Sequence, residues 1–225
     1  SLDDAEPTPA SIAGNRVSTD IAWLAGGLAL VLAATLYWPQ GRPEWLLRGA
    51  LYIAMTLAGF GLRPALLSVI GRDAEGDELV AACRRLGLDT GHIHRSDDLP
   101  TDRYIAVEDG NGLVAAIADA HSLEAAGDRI LRPLGDGRLG SAGAPWEGPV
   151  ALDGNLTRGV LADIAASPLF AAADLRVAPA SPGKAERLLP LLPLRRATLY
   201  VNLEEAGILC QCRFATAPEA AEALL

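Results

Sequence analysis

The sequence is poor in several things, and each shortage argues against a class of function. It holds three cysteines, Cys83, Cys210 and Cys212. An odd number without framework spacing argues against a disulfide scaffold and for free thiols in a reducing compartment, so a cytoplasmic location is expected. The histidines, His92, His94 and His121, are remote in sequence from Cys210-Gln211-Cys212. That pair supplies two metal ligands at most, short of a structural zinc set. Basic residues are scarce: 19 Lys and Arg stand against 28 Asp and Glu, a net charge of −9. This balance argues against a nucleic-acid partner, because phosphate backbones are bound by a basic face. Lys184 is the one lysine. The sequence has no internal repeat, no low-complexity tract and no Ser–His–Asp or Cys–His set with motif support.

What is present is globular. The chain has 225 residues, 50% of them hydrophobic and 21% charged. That suits one large domain or two small ones and needs no metal or disulfide to hold it. Residues 1–9 are acidic, contain proline and read as a disordered arm. Residues 21–38 (IAWLAGGLALVLAATLYW) carry no charge over eighteen positions. That is the length of a transmembrane helix, with Trp23, Tyr37 and Trp38 placed like interfacial anchors. A second apolar run, 49–62, follows Arg48. The soluble character of the remainder favours burial of 21–38 in a protein core, with a membrane anchor as the alternative.

From Arg63 onward, strand and helix signals alternate. Residues 65–70 read as a strand, and 75–86 as a helix with an apolar stripe at Leu79, Val80, Cys83 and Leu86, stopped by Gly87. In residues 91–95, His92 and His94 would share a face on a strand, but a solvated loop edge is the better reading. Residues 104–107 and 113–118 flank Glu-Asp-Gly-Asn-Gly, a hairpin signal. A helix is expected over 122–131, a strand over 149–152 and a helix over 157–166. A strand over 176–178, a helix over 183–192, a strand over 198–201, a helix from Leu203 and a helix over 217–225 follow. This alternation predicts a parallel α/β sheet with one small antiparallel flap.

In such sheets ligands bind beyond the carboxyl ends of the strands. Three strand ends lead into polar residues: Asp153-Gly154-Asn155, then 179–184 with Ser181 and Lys184, then Asn202-Leu203-Glu204-Glu205. Capping explains each set singly, since Asp153, Ser181 and Asn202 are all good N-cap residues. Three in successive units point to a shared cleft. Gly135-x-Gly137-x-x-Gly140 lacks a strand before it and a helix after it, so it reads as a surface loop. Asn155-Leu156-Thr157 is a formal sequon, discounted because its Asn sits at a strand end.

These motifs carry a resemblance. Residues 62–90 (LRPALLSVIGRDAEGDELVAACRRLGLDT) hold Gly71-x-Asp73-x-x-Gly76 and Leu86-Gly-Leu-Asp-Thr90, followed by Thr101 and Tyr104-x-Ala106. With Asp153-Gly-Asn155, Ser181-Pro-Gly-Lys184 and Asn202-x-x-Glu205, the chain from about residue 62 resembles the PfkB, or ribokinase-like, carbohydrate kinases, in their pseudouridine-kinase-like branch. The likeness is weaker over 10–60. Leu47 to Tyr52 stands where the family has Gly-Gly-x-x-x-Asn, and no Gly-Ala-Gly-Asp segment with its catalytic aspartate is present.

The resemblance implies an α/β, three-layer sandwich with a mostly parallel central sheet and a small β lid, C-terminally truncated. It implies an incomplete kinase domain over 10–225 with lid elements near 15–46 and 98–119. The activity implied is transfer of the ATP γ-phosphoryl group, with Mg²⁺, to a hydroxyl of a sugar or nucleoside, a pseudouridine-like acceptor being favoured. That activity is expected to be impaired in a chain without the catalytic aspartate. Asp20, Thr101, Tyr104 and Asn155 are implied for the acceptor. Ser181, Lys184, Asn202 and Glu205 are implied for phosphate and Mg²⁺, Glu205 acting through metal-bound water. A homodimer paired through the lid is a further implication. The alternative is a non-catalytic kinase remnant or a membrane-anchored interaction protein.

Overall fold

A computed structural model describes residues 49–109, 112–119 and 121–225. Asp20 and the apolar run 21–38 lie outside the described residues.

The first described element, α1 (Gly49–Gly59), is apolar and uncharged, and it buries Leu51 and Ala54 beside Leu79, Val80 and Cys83. No helix among the described residues is long and apolar enough to cross a membrane. The short strand β1 (Val69–Gly71) leads into α2 (Ala74–Arg85). The start of α2 is fixed by Asp73, whose side chain accepts from the Gly76 N–H at 2.7 Å. Glu75 and Asp77 sit in its first turn and Arg84 and Arg85 in its last, both favourable to the helix dipole. It ends before Gly87, whose φ of +85° needs glycine. Strand β2 (His94–Ser96) pairs in parallel with β1, Val69 opposite His94. The expected loop at His94 is therefore a strand. No apolar run announces it, because its pairing is by backbone and its side chains are only half-buried.

The hairpin forms as β3 (Tyr104–Asp109) and β4 (Gly112–Ala118), antiparallel, with an irregularity at Val107/Glu108. It is a sheet of its own, apart from the parallel strands. The expected helix over 122–131 divides into α3 (His121–Ala126) and a 3₁₀ segment, Gly127–Leu134. Gly127 at φ +54° and Pro133 inside the segment explain the break.

The second half is regular. Strands β5 (Pro149–Asp153), β6 (Asp174–Ala178) and β7 (Ala197–Leu199) form one parallel sheet in that order. The connections are α4 (Arg158–Ala166) and a 3₁₀ segment, Pro182–Leu191, where an α-helix was expected. Pro190 lies within that segment and removes a backbone donor. Helices α5 (Leu203–Cys210) and α6 (Ala217–Leu224) close the chain. Along β6, Leu175 and Val177 are fully buried while Asp174 and Arg176 are half-exposed. The buried pair packs with Leu161, Ile164, Phe170, Leu188 and Leu191. Each such side chain contributes about 1.5–3 kcal/mol by leaving water.

Asp73 does more than cap. Its carboxylate also accepts from Thr101 N–H at 2.7 Å and from the Thr101 hydroxyl at 2.6 Å. Two glycines make room for this. A Cβ on Gly71 would stand 2.6 Å from the Pro100 carbonyl carbon, and one on Gly76 would stand 2.6 Å from Thr101 Oγ1. Gly76→Ala is therefore expected to lose about 1–3 kcal/mol of stability in urea denaturation, the range for overpacking. Burial alone would raise the Asp73 carboxyl, but the bonds from Thr101 and Gly76 outweigh it and hold it below its ordinary 3.8. Its stabilisation is present above the unfolded value and is lost as pH falls through the lower folded one. Asp73→Asn should flatten that acid limb of the stability–pH curve. An unchanged acid limb would show that the carboxylate is not the group responsible.

Candidate functional site

Because β5, β6 and β7 are parallel, their carboxyl ends share one edge, at Asp153, Ala178 and Leu199. Adjacent strands lie about 4.8 Å apart, so the first and third ends stand on the order of 10 Å from each other. The three polar sets follow these ends.

The first two are joined. Asp153 is buried, and its carboxylate accepts from Asn155 N–H at 3.0 Å and from Asn155 Nδ2 at 2.7 Å. With its NH₂ group turned to Asp153, Asn155 uses its amide oxygen to accept from Lys184 Nζ at 2.6 Å. A carboxylate, an amide and an ammonium thus stand in series. The two turns are pressed together: a Cβ on Gly154 would stand 2.7 Å from the Pro179 carbonyl carbon. Ala180, at φ +66°, turns the chain from β6 into the 3₁₀ segment. Ser181 is the N-cap of that segment, yet its side chain makes no capping bond.

The third set is a capping box. Asn202 Oδ1 accepts from Glu205 N–H, and Glu205 Oε2 accepts from Asn202 N–H, both at 2.9 Å. Glu205 is buried. Its second oxygen has no further hydrogen bond among the described residues.

Thr101 lies elsewhere, at the foot of the hairpin, buried with its hydroxyl donated to Asp73. Tyr104 opens β3 opposite Ala118. Three residues to which the sequence assigns no role of their own organise these regions. Asp73 was visible only as part of a motif, although its spacing to Gly76 is that of an N-cap. Asp102 is buried and accepts from Ser122 N–H at 2.8 Å and Leu123 N–H at 3.2 Å, capping α3 from twenty residues away. No local pattern reveals such a cap. Arg187 reaches the carbonyl of Asn155 at 3.2 Å. Its only sequence signal is a position one turn after Lys184. The Gly135–Gly140 stretch is a turn carrying an Asp136–Arg138 ion pair, as a surface loop should be.

The return leg of the hairpin carries an exposed pair, His121 Nδ1 to Asp119 Oδ1 at 2.5 Å. That hydrogen bond, then the Asp119 charge, raises the imidazole pKa above 6.5. The contribution is complete below the unfolded value and fades as pH rises through the folded one. An NMR titration should place His121 above 6.5, and Asp119→Asn should return it towards 6.5. Coincident curves would show that the pair does not form in solution.

No family model matches the chain. A stretch of 53 residues is 43% identical to the bifunctional protein HldE of Methylobacillus flagellatus, covering 24% of this chain and 11% of that one. Among solved structures, a carbohydrate kinase from Agrobacterium tumefaciens superposes with a TM-score of 0.60 at 24% identity, over 76% of this chain and 54% of that one. A PfkB protein from Polaromonas sp. JS666 gives 0.57 at 18%, over 76% and 60%. Adenosine kinase from Schistosoma mansoni, in complex with 2-fluoroadenosine, gives 0.56 at 13%, over 76% and 52%. The fold is the α/β, ribokinase-like fold of these sugar and nucleoside kinases. The chain spans about half the length of the solved structures it matches.

Proposed function

We propose that this chain forms the acceptor- and phosphate-binding part of a PfkB-type kinase that passes the ATP γ-phosphoryl group to a hydroxyl of a sugar or nucleoside, a pseudouridine-like acceptor being favoured. The observation that carries the reading is the Asp153–Asn155–Lys184 series at the shared carboxyl edge of β5–β7. Phosphoryl transfer asks little covalent chemistry of a protein; it asks for positioning and for cationic groups around the phosphates. Lys184 offers a compact positive charge held in place by Asn155, and Ser181 offers a hydroxyl not used in capping. Lys184 is half-buried and Asp153 is buried, so the cation is the more accessible member of the series.

An open groove of about 580 Å³ runs along α5, with Leu203, Gly207, Ile208 and Phe214 among its lining. It lies next to Asn202 and has the size and partly apolar walls that a nucleotide base requires. Mg²⁺ favours oxygen ligands, keeps most of its water and is held largely by substrate phosphates. The second oxygen of Glu205 fits contact with metal-bound water. The metal would neutralise charge on the transferring phosphoryl group. The β3–β4 hairpin, with Thr101 and Tyr104 at its foot, would cover the acceptor and provide the surface through which two copies pair.

One observation favours a second reading, ligand binding without turnover. The capping box already occupies the Asn202 side-chain oxygen and one oxygen of Glu205. Calorimetry with Mg–ATP and phosphoryl-transfer assays against pseudouridine and simple sugars separate the two. Lys184→Met is expected to weaken Mg–ATP by about tenfold or more, the loss of one charged hydrogen bond. Glu205→Gln keeps the capping box, since glutamine can also accept from the N-cap N–H. It should therefore melt within a few degrees of the parent while needing more Mg²⁺. Unaltered Mg–ATP affinity in Lys184→Met would sink the kinase reading.

A further inference from the structure

The loop that presents Asn155 is held from behind by one side chain. Arg187 Nη1 lies 3.4 Å from the carbonyl oxygen of Gly154, 3.2 Å from that of Asn155 and 3.4 Å from that of Leu156. Three carbonyl dipoles that converge on one point repel each other unless a cation sits among them. Lys184 and Arg187 are three apart in a 3₁₀ segment, which places them on one side of it. Lys184 takes the Asn155 side chain, and Arg187 takes the backbone of the same loop.

The guanidinium has a second attachment. Its Nη2 donates to Glu124 Oε1 at 3.1 Å, and Glu124 belongs to α3. The first amides of α3 are the ones that Asp102 caps, at the foot of the hairpin. Physical contact therefore runs from the hairpin foot through α3 to Arg187 and on to the Gly154–Leu156 backbone.

We propose that Arg187 is a positioning residue: it sets the Gly154–Leu156 loop so that Asn155 can hold Lys184, and through Glu124 it ties the order of that loop to the helix that receives the hairpin. This rests on the reading of Lys184, held in place by Asn155, as a phosphate contact. A planar fork with several fixed donors suits the task, and a lysine, with one rotating ammonium, does not replace it.

Hydrogen exchange on the whole chain, with Mg–ATP titration in parallel, tests the proposal. Arg187→Lys keeps a positive charge opposite Glu124, so its melting temperature should stay within about 4 °C of the parent. Its amides over 154–157 should nevertheless exchange faster, and Mg–ATP should bind about tenfold more weakly, as for one charged hydrogen bond lost. Glu124→Gln should speed exchange over both 121–126 and 154–157, which a residue acting only on its own loop would not do. Arg187→Met should show the same changes more strongly; if it does not fold, the other two variants still decide. Unchanged exchange over 154–157 in Arg187→Lys overturns the positioning role, and so does full Mg–ATP affinity in that variant. If the parent chain does not bind Mg–ATP at all, the kinase reading falls, and the exchange data alone decide the role of Arg187.

Discussion

The turn at residues 100–102 is gripped by carboxylates on two sides. Asp73 holds Thr101 through its N–H and hydroxyl, and Asp102 reaches forward to the first amides of α3. The Ser122 hydroxyl completes the grip by donating to the Pro100 carbonyl at 2.7 Å. The starts of α2 and α3 and the foot of the hairpin meet at this knot. Asp73 starts α2, Asp102 starts α3, and the hairpin leaves and returns between them. A buried carboxylate such as Asp102 is costly unless its lone pairs are used, and here the N–H groups of Ser122 and Leu123 use them. The chain directions on both sides of the hairpin are thus set by hydrogen bonds made outside it.

The parallel sheet imposes a different constraint. Its three strands all end on one side, so the turns that follow are crowded together. Gly154 against Pro179 shows the crowding, and Ala180 in the left-handed region shows its conformational cost. From that crowding comes the joining of Asn155 to Lys184 across twenty-nine residues. The β7 end is less entangled, and there Asn202 and Glu205 satisfy one another.

Legibility in the sequence followed the range of the interactions. The stripe of α2 at Leu79, Val80 and Cys83, the stop at Gly87, the hairpin and the regular β5–β7 units are readable because local period and turn chemistry decide them, whereas Leu86, expected in that stripe, is the exposed C-cap. Strand β2 was missed because its three residues, His-Arg-Ser, carry no apolar signal and are ordered by pairing with β1. The helices expected over 122–131 and 183–192 give way to 3₁₀ turns that contain Pro133 and Pro190. At the candidate site, residue types at strand ends single out Asn155, Lys184, Asn202 and Glu205 as candidates. Which of them touch was not legible: the spacing of Asn202 and Glu205 fits a cap and a ligand set equally well. Arg187 and Asp102 act on backbone far away in sequence, and such partners leave no pattern behind.

Lys184 is the one lysine of the chain, and it sits in the Asn155 series. The chain's one side-chain amine, Nζ of Lys184, is therefore also one of its candidate phosphate contacts. Amine-directed acylation, which on most proteins scatters over many lysines, here becomes a reporter of one strand-end turn.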